Sequence, residues 1–369
     1  MVEWKRLEDV CDILTGGDVP NNCIKGQTFP SDSHPYAVYS NGDGVYGYSI
    51  NYRINKDAVT ISSIGNVGSV NYRSAFFTPV IRLKVVIPSH PFLQTKYLYY
   101  TLLCYKFIGT NSSLSSMKAA DIKRIQIPIP PLSEQTRIVG ILDTFTASIE
   151  NLKEQIKQRR KQYEHYRDEL LDLEGKEGVE MKTLREIFET RNGYTPSTNN
   201  KDFWEGGLIP WFKMEDIRDN GRILNDSILH ITPQAVKGKG LFKANSIILA
   251  TSATIGEHAL ITIEHLSNQR FTNFYPKKSY ESNINMKFVY YYMYIIDNWC
   301  KQHINQGGFA SVDMAGLYNL DFPILPLSEQ SRIVSILDTF DASISNLEAQ
   351  LKEREKQYEY YRNKLLTFE

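Results

Sequence analysis

Two stretches of the chain place apolar side chains alternately four and three residues apart for more than thirty positions. In the first, Ile138, Leu142, Phe145, Ile149, Leu152, Ile156, Arg159, Tyr163, Tyr166, Leu170 and Leu173 fall on one face of a helix. In the second, Ile333, Leu337, Phe340, Ile344, Leu347, Leu351, Arg354, Tyr358, Tyr361, Leu365 and Phe368 do the same. A heptad seam of this length predicts a long helix that needs a partner helix along its course, with these side chains as the helix–helix packing positions. Arg159 and Arg354 interrupt the seam at matching places, either pairing with an acid across it or extending their heads to water. Elsewhere, short β-branched and aromatic runs broken by Gly, Asn and Pro, such as DAVTISSIG and NSIILATSATIG, predict strands and loops.

The two seams are copies of one sequence. The stretch from Pro128, PIPPLSEQTRIVGILDTFTASIENL, returns from Pro323 as PILPLSEQSRIVSILDTFDASISNL, and over 44 positions about 31 are identical. Each copy opens with prolines and then Ser133 or Ser328, followed by Glu-Gln. This predicts a helix start with the serine as cap. The preceding segments correspond loosely: EWKRLEDV at Glu3 with EMKTLREI at Glu180, TISSIGNVG at Thr60 with LATSATIGE at Leu249, and KYLYY at Lys96 with KFVYY at Lys287.

The expected class is α+β: two similar mixed α/β domains at residues 1–130 and 176–325, each followed by a long helix, at 131–175 (with a linker) and 326–369. The natural partner of each helix is the other. Packed antiparallel, they would relate the halves by a pseudo-twofold axis.

Charge and composition narrow the classes. Hydrophobic residues make up 42% and charged residues 23%, the balance of a globular chain. No stretch is apolar enough to span a bilayer, and charges near the N-terminus replace a signal-peptide core, so a cytoplasmic protein without a membrane partner is expected. The net charge of zero hides a first segment, 1–130, of +4 and a first helical segment, 131–175, of −2. Cys11, Cys23, Cys104 and Cys300 lack metal-site spacing and read as reduced and mostly buried.

Enzyme signatures do not assemble. Gly42, Gly44 and Gly47 satisfy GxGxxG, but a β-rich run follows them rather than a helix. There is no Walker A lysine motif and no Asn-Pro-Pro-Tyr. His258, His265 and Glu264 lack the one-turn spacing of helical ligands. No catalytic residue, metal site or cofactor is assigned to this chain.

Two unlike modules related by a dyad match the local twofold axes of a DNA duplex and would read an asymmetric, split target. The doubled PLxEQxRIVxxLD pattern, at Pro131–Asp143 and Pro326–Asp338, resembles the region found twice in specificity subunits of type I restriction-modification systems. GYTPSTNNKDFWEGGLIPWFKMEDI, at Gly193–Ile217, resembles the opening of a target-recognition domain in that family. The first domain departs from this form, with TGGDVP and YAVYSNGDGVYGYSI.

The resemblance implies a non-catalytic subunit that binds a bipartite site in double-stranded DNA. Two modification subunits carrying S-adenosylmethionine would dock on it, and restriction subunits would supply ATP- and Mg-dependent translocation and cleavage. A coiled-coil adaptor that recruits proteins without reading sequence is the alternative.

Base and phosphate contacts need exposed polar and basic side chains on loops. The candidate DNA-binding residues in the first domain are Ser40, Asn41, Tyr46, Tyr48, Arg53, Ser62, Ser63, Asn66 and Lys118. In the second they are Lys213, Arg218, Lys237, Lys239, Thr251, Thr254, Asn268, Gln269, Arg270 and Gln306. Tyr97, Tyr99, Tyr290 and Tyr292 lie on apolar faces and read as core.

Overall fold

A computed structural model of the chain describes residues 2–107, 117–305 and 310–368. The chain divides into two compact units, Met1–Gln155 with Leu347–Glu369, and Ile156–Asn346. The division cuts both long helices, Leu132–Leu171 and Leu327–Leu366, each 40 residues and so about 60 Å long. Each unit therefore combines one α+β domain, the first part of the helix that follows it and the last part of the other helix.

In the first unit the strand Glu3–Arg6 runs antiparallel to Gln126–Ile129, which leads into the long helix. The main sheet has the order Cys11–Thr15, Lys84–Pro88, Ala58–Ile61, Val70–Arg73. Its inner face carries Val59, Ile61 and Val86, which pack on Tyr97, Leu98 and Leu102 of the helix Thr95–Leu103. A second sheet has the order Ile24–Lys25, Gly47–Ser49, Tyr36–Tyr39, Phe77–Pro79, the last pair parallel.

The second unit repeats this topology. Glu180–Thr183 pairs with Asp321–Ile324. The main sheet runs Phe188–Asn192, Phe271–Pro276, Ser246–Ala250, His258–Ile261, extended by the parallel edge strand Ile223–Leu224. The second sheet runs Leu229–Ile231, Ile209–Phe212, Leu266–Ser267. The helix Met286–Gln302 covers the core through Phe288, Val289 and Tyr291. Superposing the registers places Val59 with Ile247 and Thr60 with Ile248, one residue away from the sequence match of Thr60 with Leu249.

The helix segments within each unit pack antiparallel. In the first, Ile138 and Leu142 share a core with Leu366, the ring of Phe145 stacks on that of Tyr361 at 5.4 Å, and Lys153 pairs with Glu355 at 3.0 Å. In the second, Ile333 and Leu337 share a core with Leu171, and Phe340 stacks on Tyr166 at 5.4 Å. Among the remaining seam positions Tyr163 is buried, and Ile149, Leu152, Ile156, Ile344, Leu347, Leu351 and Tyr358 are half-buried. The two seam arginines lie over these rings, Arg354 over Phe145 at 5.6 Å and Arg159 over Phe340 at 5.9 Å. Such cation–π placement lets a guanidinium occupy a half-buried seam.

The helix starts differ from expectation. Pro131 O accepts from Glu134 N and Gln135 N, and Pro326 O from Glu329 N and Gln330 N. The helices thus begin ahead of Ser133 and Ser328, which stand exposed inside the first turn instead of capping it. What the motif contributes is its glutamine. Gln135 is fully buried: its Oε1 accepts Gln94 N, and its Nε2 donates to Phe92 O and Pro130 O. Gln330 repeats the set with Asn285 N, Asn283 O and Leu325 O. Two turns further on, Asp143 receives Lys96 and the Tyr100 hydroxyl, and Asp338 receives Lys287 and the Tyr291 hydroxyl. Each domain is latched to the helix that follows it.

Cys11 and Cys300 are buried and their thiols are pushed up to about 12, chiefly by desolvation; Cys23 is half-buried and Cys104 exposed. Among the described residues no helix is long and apolar enough to cross a membrane.

Candidate nucleic-acid interface

The strand directions bring four connections to one end of the first domain. Thr15 ends beside Lys84, Ile61 beside Lys84, and Tyr39 beside Pro79, so the loops after Thr15, Tyr39, Ile61 and Pro79 emerge together. Gly16 lets them close: a Cβ there would lie 2.8 Å from Val80 N. Asn41 is the hub, its Nδ2 donating to Ile81 O at 2.6 Å and its Oδ1 accepting from Ser63 N at 2.7 Å. Asp43, on the same loop, accepts from Ser69 Oγ and Asn71 Nδ2, and these bonds hold its carboxyl below the usual range. Arg73 donates to Asp43 O and lies over the Tyr39 ring at 3.9 Å.

The second domain builds the same end from different side chains. Gly193 N donates to Phe271 O as Gly16 N donates to Leu83 O, and Asn268 N to Phe212 O as Val80 N to Tyr39 O. A Cβ on Gly193 would lie 2.2 Å from Ser267 O, so this crossing also needs glycine. Tyr194 is the hub here. Its hydroxyl donates to Ala235 O and accepts Lys237 N, while its carbonyl accepts the Trp211 indole N–H. It thereby fixes the Lys237–Gly240 turn against the strand that delivers Lys213. Arg191 donates to Gly240 O at 2.9 Å and secures the far side of that turn.

Against this frame the predicted contacts separate. Arg53, exposed, lies against Gly17, where an added Cβ would meet Nη1 at 2.8 Å. Asn66 is exposed on the Ser62–Ser69 loop, and exposed Lys118 follows Met117, whose N–H donates to Ser63 O. Half-buried Ser40 and Tyr46 bracket the Asn41 loop. In the second domain Lys237, Lys239, Gln269 and Arg270 are exposed at this end, with Lys213, Thr254 and Asn268 half-buried beside them. Arg218 is exposed on the last turn of the helix Met214–Asn220. Gln306 lies outside the described residues.

Several candidates are instead part of the frame. Ser62 and Ser63 are buried, with hydroxyls donating to Asn41 O and Arg82 O. Thr251 is buried against Thr272 and Tyr48 is buried in its strand. The Asn41 amide is committed to Ile81 and Ser63, as above. Ser62, Ser63, Thr251 and Asn41 thus hold the loops from inside through these bonds, and Tyr48 lies within the sheet. Arg82, which is not among the predicted contacts, is exposed in the turn Val80–Leu83 at the place where the second domain has Arg270.

A twice-built α+β domain, each latched to a long helix and each presenting its own loop set, defines a tandem two-domain protein. Residues 1–159 and 176–356 match the family model described as the type I restriction modification DNA specificity domain. The chain belongs to that family, whose members are DNA-recognition components and not catalysts.

It is 48% identical over 216 residues to the EcoprrI specificity subunit of Escherichia coli, covering 55% of this chain and 53% of that one. The match thus spans about half of that relative. To the EcoR124I/EcoR124II specificity subunit of Escherichia coli it is 36% identical over 294 residues, 74% of this chain and 70% of that one. The crystal structure of a type I restriction-modification S subunit from M. genitalium has the same fold, with a TM-score of 0.62 at 16% identity over 100% of this chain and 97% of that one.

Proposed function

We propose that this chain is the sequence-reading subunit of a cytoplasmic type I restriction-modification complex. Each domain reads one half of a bipartite, asymmetric site in double-stranded DNA, and the long helices set the spacing between the halves. Two modification subunits, holding S-adenosylmethionine, dock on it, as do restriction subunits that use ATP and Mg. The observation that carries this reading is the duplicated loop end: one strand topology, two different loop sets, and the same latched helix after each.

Comparing the methylated motifs of cells with and without this gene tests it. A split motif that disappears with the gene is the expected result. An unchanged methylation pattern would sink the proposal and favour a coiled-coil adaptor that recruits proteins without reading sequence. Adding one heptad to each long helix, about 10 Å, is expected to lengthen the spacer by a few base pairs and leave both half-sites unaltered.

A further inference from the structure

The turn Val80–Leu83 of the first domain has a backbone that its residues disfavour. Leu83 N donates to Val80 O at 3.1 Å, and both central residues have positive φ, Ile81 at 51° and Arg82 at 60°. Two-residue turns with both central residues in this region normally hold Asn-Gly or Asp-Gly. A Cβ there crowds the backbone, and a β-branched one crowds it most. Burial does not compensate, because Ile81 is 42% exposed and Arg82 is exposed too.

The surroundings impose the conformation. Ile81 N and Arg82 N donate to Gly17 O and Gly16 O, at 2.8 and 3.1 Å. Ile81 O accepts from Asn41 Nδ2 at 2.6 Å, and Arg82 O from Ser63 Oγ at 2.8 Å. Three neighbouring loops thus clamp a two-residue tip by its backbone and leave both side chains outside. Strain that the frame maintains, at the end of the domain where the loops differ from those of the second domain, points to a functional position.

The second domain supplies an independent reason. Its equivalent turn, Asn268–Phe271, closes by Phe271 N to Asn268 O at 3.2 Å and carries exposed Arg270 at the place of Arg82. Neither Gln269 nor Arg270 has positive φ. Two domains with different loops reach the same exposed arginine through different backbones.

We propose that the Ile81–Arg82 tip reads a base pair in the half-site of the first domain. The Arg82 guanidinium bonds the edge of that pair through its fork, a geometry that guanine O6 and N7 fit, and Ile81 lies against an apolar group of the neighbouring pair, such as a thymine methyl. A clamped backbone serves this task, since bidentate bonding requires a fixed direction. Holding a phosphate tolerates a flexible stem and gives no reason to retain the strain. The inference rests on the DNA-reading function proposed above.

The test uses the complex with its modification subunits, measuring methylation of duplexes substituted at each position of both half-sites. Arg82→Ala is expected to lower the rate on the native site roughly ten- to a hundredfold. It should also abolish discrimination at one base pair of the first half-site while discrimination at the other positions of that half-site persists, which shows that the first domain is folded. Arg82→Lys is expected to behave like Arg82→Ala, because lysine lacks the fork.

Unaltered discrimination at every position of the first half-site overturns the proposal, as does a uniform loss on all duplexes that Arg82→Lys restores. Either result leaves the specificity function standing. A wild-type complex that discriminates at neither half-site removes that function itself.

Discussion

The backbone N–H of Gln94 donates to the side-chain oxygen of Gln135 at 2.9 Å, and that bond joins the first domain to the foot of its helix. Truncating the glutamine would leave this donor and the Phe92 and Pro130 carbonyls without a partner in a buried place. Gln135→Ala is expected to cost about 3 kcal/mol in denaturant unfolding, and Gln330→Ala a similar amount in the second unit. A loss below about 1 kcal/mol for both would show that the amides are not the fastening.

Phe340 is half-buried between Tyr166 and the Arg159 guanidinium. Phe340→Ala should lower stability by about 2 kcal/mol, less than full truncation of a core ring because the site is partly open to water. Phe340→Leu should recover most of that, and urea midpoints of the three proteins decide it.

His265 is fully buried, its Nδ1 donating to Ile263 O and its Nε2 accepting from the Asn273 amide. Burial pushes its pKa down to about 4. The unfolded chain takes up this proton near 6.5 and the folded chain only near 4, so stability is full above that window and falls as the pH drops through it. The loss amounts to about 3 kcal/mol. His265→Gln is expected to flatten the slope of melting temperature between pH 7 and 4.5; an unchanged slope would assign the acid sensitivity to other groups.

Asp341 shares the Tyr291 hydroxyl with Asp338. Burial first, and then the Asp338 charge, raise its carboxyl pKa above the usual range, against the pull of Lys287 and Arg167. A raised carboxyl binds its proton more tightly when folded, so its contribution is fully present in acid and is lost as the pH rises through the raised value. Asp341→Asn keeps an acceptor for Tyr291. It is therefore expected to melt higher than the parent at pH 7, with the two converging below pH 4; a lower melting temperature at pH 7 would contradict this assignment.

Long-range periodicity made the helices readable, because eleven positions in each obey one spacing and the copies check one another. The paired domains were visible through landmarks, but their register slipped by one residue because β-branched runs of similar composition fit at either offset. At the loop end, legibility followed polarity. Asn268, Gln269 and Arg270 form a polar run between strands and stand out as a turn. Val80–Leu83 reads as VIRL within a strand-like stretch, and no Gly or Asn signals that the chain reverses there.

Polarity also misled. Ser62, Ser63 and Thr251 lie on loops, but their hydroxyls face inward, a direction set by backbone packing. The buried role of Gln135 and Gln330 gave no local signal, since a glutamine in the first turn of a helix ordinarily faces solvent.

The strands Glu3–Arg6 and Gln126–Ile129 lie side by side, and so do Glu180–Thr183 and Asp321–Ile324. The polypeptide enters and leaves each module at adjacent backbones, next to the helix foot. A genetic crossover falling in the codons for those two strands would therefore import an entire foreign domain while the heptads stayed native. Whole domains can thus pass between genes as cassettes, with no need to rebuild the helices.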